Sequence, residues 1–233
     1  NLTNRFQKKS KVPLFVGIDA EWGLSMRLDS TYRFPWNMTL GAIRDLKLLE
    51  KVGAQMGKES KRMGVHFNFA PVIDINTNPK NPIIGYRSFG EDKKNVTESA
   101  IALMTGVQSK GVFSTGKHFP GHGYVIPDSH VELPVDDRSL EAMQEDLLPY
   151  RELALDAVMA AHVIYDCMDC NTAVFSNKWI DYLRNDINFE GVVFTDDLSM
   201  AGAGVVGGML NRVDAAYRAG CDMLLVCNSP EAV

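Results

Sequence analysis

Lys117-His118-Phe119-Pro120-Gly121-His122-Gly123, followed by Asp128-Ser129-His130, sets a lysine, an aspartate and three of the chain's five histidines within fourteen positions. An imidazole two positions from a carboxylate can give and take a proton near neutrality. Free histidine titrates near ~6.5, and a carboxylate partner orients the ring and favours its protonated form. On a glycine-rich loop such a pair reads as a catalytic acid and base. A second reactive stretch runs Gly191-Val-Val-Phe-Thr-Asp-Asp-Leu-Ser-Met200, with two adjacent aspartates after an apolar run. One of them can cap the helix that follows, which leaves the other as a nucleophile or a metal ligand. His118, His122, His130, His162 and Asp196 form the alternative ligand set of a metal-dependent hydrolase, though no tight His-x-His pair stands at the first strand. The chain has no G-x-S-x-G elbow, no phosphate-binding loop and no dinucleotide fingerprint.

These groups need elements to bring them together. Short apolar runs occur at 13–18, 65–75, 111–115, 157–161, 192–195 and 222–226. Such runs are expected of parallel strands buried on both faces. Between them, helical periodicity predicts helices over 40–56, 96–109, 140–156, 177–188 and 209–219, and the start before Pro13 is also helix-like. Strand-helix alternation of this kind argues for a parallel sheet. The expected fold is an α/β barrel of the eightfold (β/α) TIM type, with the first strand and the last unit not evident. An open doubly wound sheet is the structural alternative. One domain is expected over 1–233, with no linker or repeat. In the barrel, Asp19, Glu21, Asn68, Asp74, Lys117, His118, His162, Asp196 and Asp197 converge on the rim at the strands' carboxyl ends, where barrels keep their chemistry. Carboxylates, a lysine and histidines together suit a polar, hydroxylated substrate.

Composition narrows the class. With 45% hydrophobic and 23% charged residues in 233, the chain reads as a soluble globular protein with one sizeable core. A net charge of -5 argues against a nucleic-acid partner. No apolar run approaches the ~18 residues of a membrane span. The basic clusters at 8–11 and 58–62 read as solvated helix ends. Cys167, Cys170, Cys221 and Cys227 read as structural thiols of a reducing compartment, despite the C-x-x-C spacing of the first two. Because the chain opens on Asn1 rather than Met, an upstream segment is expected.

Gly17-Ile-Asp-Ala-Glu21, Arg87-Ser-Phe-Gly90, Lys117 to Gly123, Asp128-Ser-His130, Ala161-His-Val163 and Phe194 to Met200 together resemble glycoside hydrolase family 3. The likeness is greatest to the bacterial β-N-acetylglucosaminidases that recycle peptidoglycan, and the Asp-Ser-His element separates these from the family's β-glucosidases. The resemblance implies retaining hydrolysis of terminal β-linked N-acetylglucosamine through a covalent glycosyl-enzyme. Asp196 then matches the nucleophile, and Asp197 is structural. His130 matches the general acid/base with Asp128 as partner, in place of the second carboxyl of most retaining glycosidases. Asp19, Arg87, Lys117 and His118 match residues that hold sugar hydroxyls, and Lys117 or Arg87 is expected to lower the Asp196 pKa. His130 is expected to swing over the leaving group on its glycine-containing loop. No Asp-Glu pair stands at a strand end to support the 2-acetamido group as nucleophile, so an enzyme nucleophile is preferred. Neither cofactor nor metal is implied. The implied partner is an oligosaccharide containing N-acetylglucosamine, with no nucleic acid and no membrane, and the setting is cytoplasmic. A non-catalytic amino-sugar-binding barrel and phosphorolysis remain open as alternatives. Asp19-Ala-Glu21-Trp-Gly departs from the family's commoner D-Q-E-G-G, and Trp22 would set an aromatic ring near the sugar.

Overall fold

The computed structural model describes residues 2–127, 129, 132–227, 229 and 231. The chain begins with helix α1 (Leu2–Lys9), enters strand β1 (Gly17–Ile18), and passes through helices α2 (Asn37–Ile43) and α3 (Leu46–Met63) to β2 (Phe67–Asn68). Helix α4 (Lys93–Gln108) leads to β3 (Phe113–Phe119). Then come β4 (Val135–Asp136), α5 (Leu148–Glu152), β5 (Ala157–Ala160), β6 (Ile164–Tyr165), β7 (Asp169–Thr172), α6 (Asn177–Asn185), β8 (Val192–Thr195) and α7 (Met209–Ala219).

Five strands form one parallel sheet in the order β1-β2-β3-β5-β8. Met223 adds a sixth parallel position by bridging Phe194. The order follows the chain and never reverses, which corrects the doubly wound alternative. The sheet also curls. Neighbouring strands lie about 4.8 Å apart, so three steps from β2 to β8 across a flat sheet would separate Phe67 and Phe194 by about three times that. Their ring centroids are 5.3 Å apart instead. The fold is thus a half-barrel, and the complete eight-stranded barrel is not present among the described residues.

Strand alternation divides the core in two. Ala157, Met159 and Phe194 point inside the curl, where they meet Phe67 and Phe69. Val158, Ala160 and Val193 point outward into the larger core beneath the helices. Two glycines let α3 and α4 approach closely within that outer layer. A Cβ on Gly53 would meet the Leu103 carbonyl oxygen at 2.0 Å, and one on Gly106 would meet that of Glu50 at 2.1 Å.

Several elements differ from expectation. The helix predicted over 40–56 is two helices, α2 and α3. Arg44 takes the left-handed conformation (φ 54°) between them, and the Asp45 carboxylate caps α3 by accepting the Leu48 N–H. The helix predicted over 140–156 is largely irregular, with α5 as its only α-helical part and Pro149 in the first turn of α5. The small sheet β4-β6-β7 went unforeseen because its strands are only two to four residues long, too short to show a period. The basic clusters do close helices: Lys8 and Lys9 sit in the last turn of α1, and Lys61 and Arg62 in that of α3. No described helix is long and apolar enough to cross a membrane.

Gly106→Ala forces either a shift of α4 against α3 or an off-rotamer core, at a cost of about 1–3 kcal/mol. A thermal melt should show a Tm several degrees below wild type, and an unchanged Tm would mean that the helices do not touch at Gly106.

Candidate active site

β3 is longer than expected, and Lys117 and His118 lie on it rather than beyond it. Successive residues of a regular strand face opposite ways. Here the register breaks: Lys117 pairs with Met159 but Phe119 pairs with Ala160, so His118 is an extra residue on the β3 side. This bulge lets Lys117 and His118 both line one cavity. The cavity, of about 600 Å³, opens at the carboxyl ends of the parallel strands.

Its floor is a network of buried charges. The Lys117 ammonium donates to Asp19 Oδ1 at 2.9 Å and contacts Glu21 Oε1 at 2.9 Å. Arg87 grips Glu21 with both arms, Nη2 to Oε1 at 2.8 Å and Nε to Oε2 at 3.0 Å. Lys117 and Glu21 are each only 2% exposed. Burial works against the Glu21 charge, but Lys117 and Arg87 outweigh it and hold its carboxyl far below the usual range. Burial likewise opposes the Lys117 charge, and Glu21 and Asp19 reverse the effect and raise its pKa. Asp19 also binds the half-exposed Arg27 at 3.0 Å. Burial again opposes the Asp19 charge, and chiefly Lys117 brings its pKa down.

Asp74 supports the second half. It is fully buried, and its carboxylate accepts the backbone N–H of His118 (3.1 Å) and of His122 (2.7 Å). His118 Nδ1 lies 2.7 Å from its Oδ2. Nε2 of His118 is thereby turned toward the cavity, 3.5 Å from Arg87 Nη2. Burial, followed by the neighbouring His118, pushes His122 down to about 4, so its ring is neutral at neutral pH. His122 Nε2 lies 3.0 Å from the Ser129 hydroxyl.

The two aspartates after β8 differ in surroundings. The Asp197 carboxylate accepts from Ser199 Oγ (2.6 Å), Ser199 N (2.9 Å) and Cys227 N (3.0 Å), which ties the turn together. Asp196 accepts one hydrogen bond among the described residues, from Asp197 N at 2.8 Å, and faces the cavity. Burial opposes its charge, but His118, His162 and, more weakly, Lys117 keep it below the usual carboxylate range. Lys117 was expected in this role, whereas the larger part of the histidines was not. His162 is buried, with Nε2 3.1 Å from the Asp197 carbonyl oxygen.

The structure therefore brings Asp19, Arg87, Lys117, His118 and Asp196 to one cavity. Asp128 and His130 lie outside the described residues. Glu21 and Asp74 were noted at the rim but not assigned to the site, and His122 was assigned only as a metal ligand in the rival reading. Their positions after strand runs were the available signal. Among the described residues, no group of three or more His, Cys, Asp or Glu side chains is placed to hold a metal ion.

A curled parallel sheet with a charged cavity at its carboxyl ends defines a barrel-type α/β domain suited to hydroxyl-rich ligands. The pattern of the glycosyl hydrolase family 3 N-terminal domain matches residues 2–233, and the chain belongs to that family. It is 45% identical over 231 residues to a beta-hexosaminidase of Thiobacillus denitrificans, covering 94% of this chain and 64% of that protein. It superposes on NagZ from Neisseria gonorrhoeae, solved in complex with N-trifluoroacetyl-D-glucosamine, with a TM-score of 0.90 and 38% identity, over 99% of this chain and 70% of that one. A family 3 beta-N-acetylglucosaminidase from Paenibacillus gives a TM-score of 0.91 and 36% identity, over 97% and 44% of the two chains. The chain thus spans about two thirds of the length of the curated relatives it matches.

Glu21→Gln leaves the buried Arg87 without its carboxylate partner and Lys117 with Asp19 alone, at a cost of about 3–5 kcal/mol. The sign with pH follows from the depressed Glu21 pKa: its contribution is complete above its unfolded value of 4.5 and is lost as pH falls below that. Denaturant melts from pH 7 to pH 3 should therefore show a steep acid loss in wild type and a shallower one in the variant. Parallel curves would remove Glu21 as a source of stability.

Proposed function

We propose that residues 1–233 form one catalytic domain of a retaining exo-β-N-acetylglucosaminidase. It removes terminal β-linked N-acetylglucosamine, with cytoplasmic peptidoglycan fragments as substrate. The observation that carries this reading is the Asp196 carboxylate: ionised, facing the cavity, with one backbone hydrogen bond and flanking basic groups. A nucleophile toward an anomeric carbon needs that state. Asp197, with both oxygens occupied, is the poorer choice.

In the first step Asp196 attacks the anomeric carbon as the glycosidic bond breaks, and His130, oriented by Asp128, gives a proton to the departing oxygen. In the second, His130 takes a proton from water, which attacks the glycosyl-enzyme and frees Asp196. Arg87, Lys117, His118 and Asp19 supply fixed donors and acceptors for sugar hydroxyls, and their mutual contacts hold them in place before the sugar arrives. The similarity to proteins named for beta-hexosaminidase and beta-N-acetylglucosaminidase activity supports the substrate class.

Release of nitrophenol from its N-acetyl-β-D-glucosaminide tests the reading. Asp196→Ala should lower kcat by more than about 10³-fold, the scale of a lost nucleophile. Added azide should restore turnover and yield the α-glycosyl azide, as retention through Asp196 demands. Full activity in the variant would remove Asp196 from the mechanism. Sugar binding without turnover in wild type would assign a binding role.

A further inference from the structure

Trp22 lines the cavity, and its ring does not end there. The Trp36 ring lies with its centroid 4.0 Å away, and the Tyr86 ring follows 4.3 Å from Trp36. Successive planes are tilted by 59° and 61°, so the three make a stepped aromatic wall running outward from the cavity. Trp22 and Trp36 are half-buried, and Tyr86 is 55% exposed. Rings in the core would be enclosed, and scattered surface rings would not touch one another.

The wall is also held in fixed register with the charged floor. Gly23, at φ 89°, turns the chain just after Trp22 in a space where a Cβ would strike the Phe34 ring at 2.7 Å. The Phe34 N–H donates to the Trp22 carbonyl at 3.1 Å, which joins the Trp22 and Trp36 segments. The Asn37 side chain donates to the Arg87 carbonyl at 2.7 Å, which sets Trp36 against Tyr86. Tyr86 precedes Arg87, whose guanidinium grips Glu21 on the floor. The outer rings are therefore tied to the groups proposed to hold sugar hydroxyls.

We propose that Trp22, Trp36 and Tyr86 form a second saccharide subsite, which binds the pyranose adjoining the one seated in the cavity. A β-linked pyranose has equatorial hydroxyls at its edge and apolar C–H faces, so an aromatic face complements it while indole N–H and phenol O–H stay in contact with water. The wall's continuity with the cavity selects a sugar of the same chain as the occupant. This inference rests on the amino-sugar reading above and adds that affinity rises with a second sugar unit.

Titration calorimetry on the wild-type chain with N-acetylglucosamine and with its β-1,4 dimer, S-linked to resist hydrolysis, separates the two ideas. The dimer should bind about tenfold more tightly than the monosaccharide, the gain expected of one good aromatic contact. Tyr86→Ala should remove most of that gain and leave monosaccharide binding and Tm unchanged, and Tyr86→Phe should retain the gain. Equal affinity for monomer and dimer, or a gain that survives Tyr86→Ala, overturns the subsite while the amino-sugar reading stands. A gain supplied only by the peptide of a glucosaminyl-muramyl-peptide overturns it in favour of a peptide contact. Failure of both sugars to bind overturns the amino-sugar reading and the subsite with it.

Discussion

One carboxylate shared by two buried cations governs the architecture of the site. Glu21 sits between Lys117 and Arg87, and burying any one of these charges without the others would be costly. Because each ion is stabilised by the others, the segments that carry them must meet at a fixed distance. Glu21 follows β1, Arg87 comes from the connection between β2 and α4, and Lys117 lies on β3. The network therefore clamps the carboxyl ends of adjacent units into one surface. Asp74 does the same a few ångströms away, where a single buried carboxylate gathers the backbone of His118 and of His122 and one imidazole edge.

Such a floor is preorganised. Its donors and acceptors are already engaged with one another, so a hydroxyl-rich ligand meets groups that cannot rearrange to spoil the fit. Asp196 stands apart with its carboxylate less occupied than that of Asp197. The two neighbouring aspartates thus differ in their hydrogen bonding although they are the same residue type.

Much of this was legible in the sequence. The short apolar runs of a strand buried on both faces gave β5 and β8 almost residue for residue, and the helix over 209–219 matched α7. Asp19, Arg87, Lys117, His118 and Asp196 were picked out through motif likeness and their positions after strand runs. Where the reading failed, a local signal was overridden. Apolar periodicity ran straight across Arg44 and Asp45 although Asp45 is a capping residue, and it ran across Pro149, which forbids a continuous helix. The role of Asp74 was hidden because its partners are backbone amides forty-four and forty-eight positions away, and no local pattern encodes them. The half-barrel's curvature is likewise a long-range property, visible only once Phe67 and Phe194 are seen in contact.

The extra residue in β3 has a consequence for how such a site tolerates change in chain length. With His118 bulged, the residues before and after it keep their inward and outward assignments, and two polar side chains share one wall. Loss of His118 would pair Lys117 with Met159 and Phe119 with Ala160 in a regular ladder, keep both faces as they are, and leave a single polar side chain on that wall. Regular pairing is incompatible with Lys117 and His118 both lining the cavity. The wall therefore depends on the number of residues in this stretch as much as on their identity.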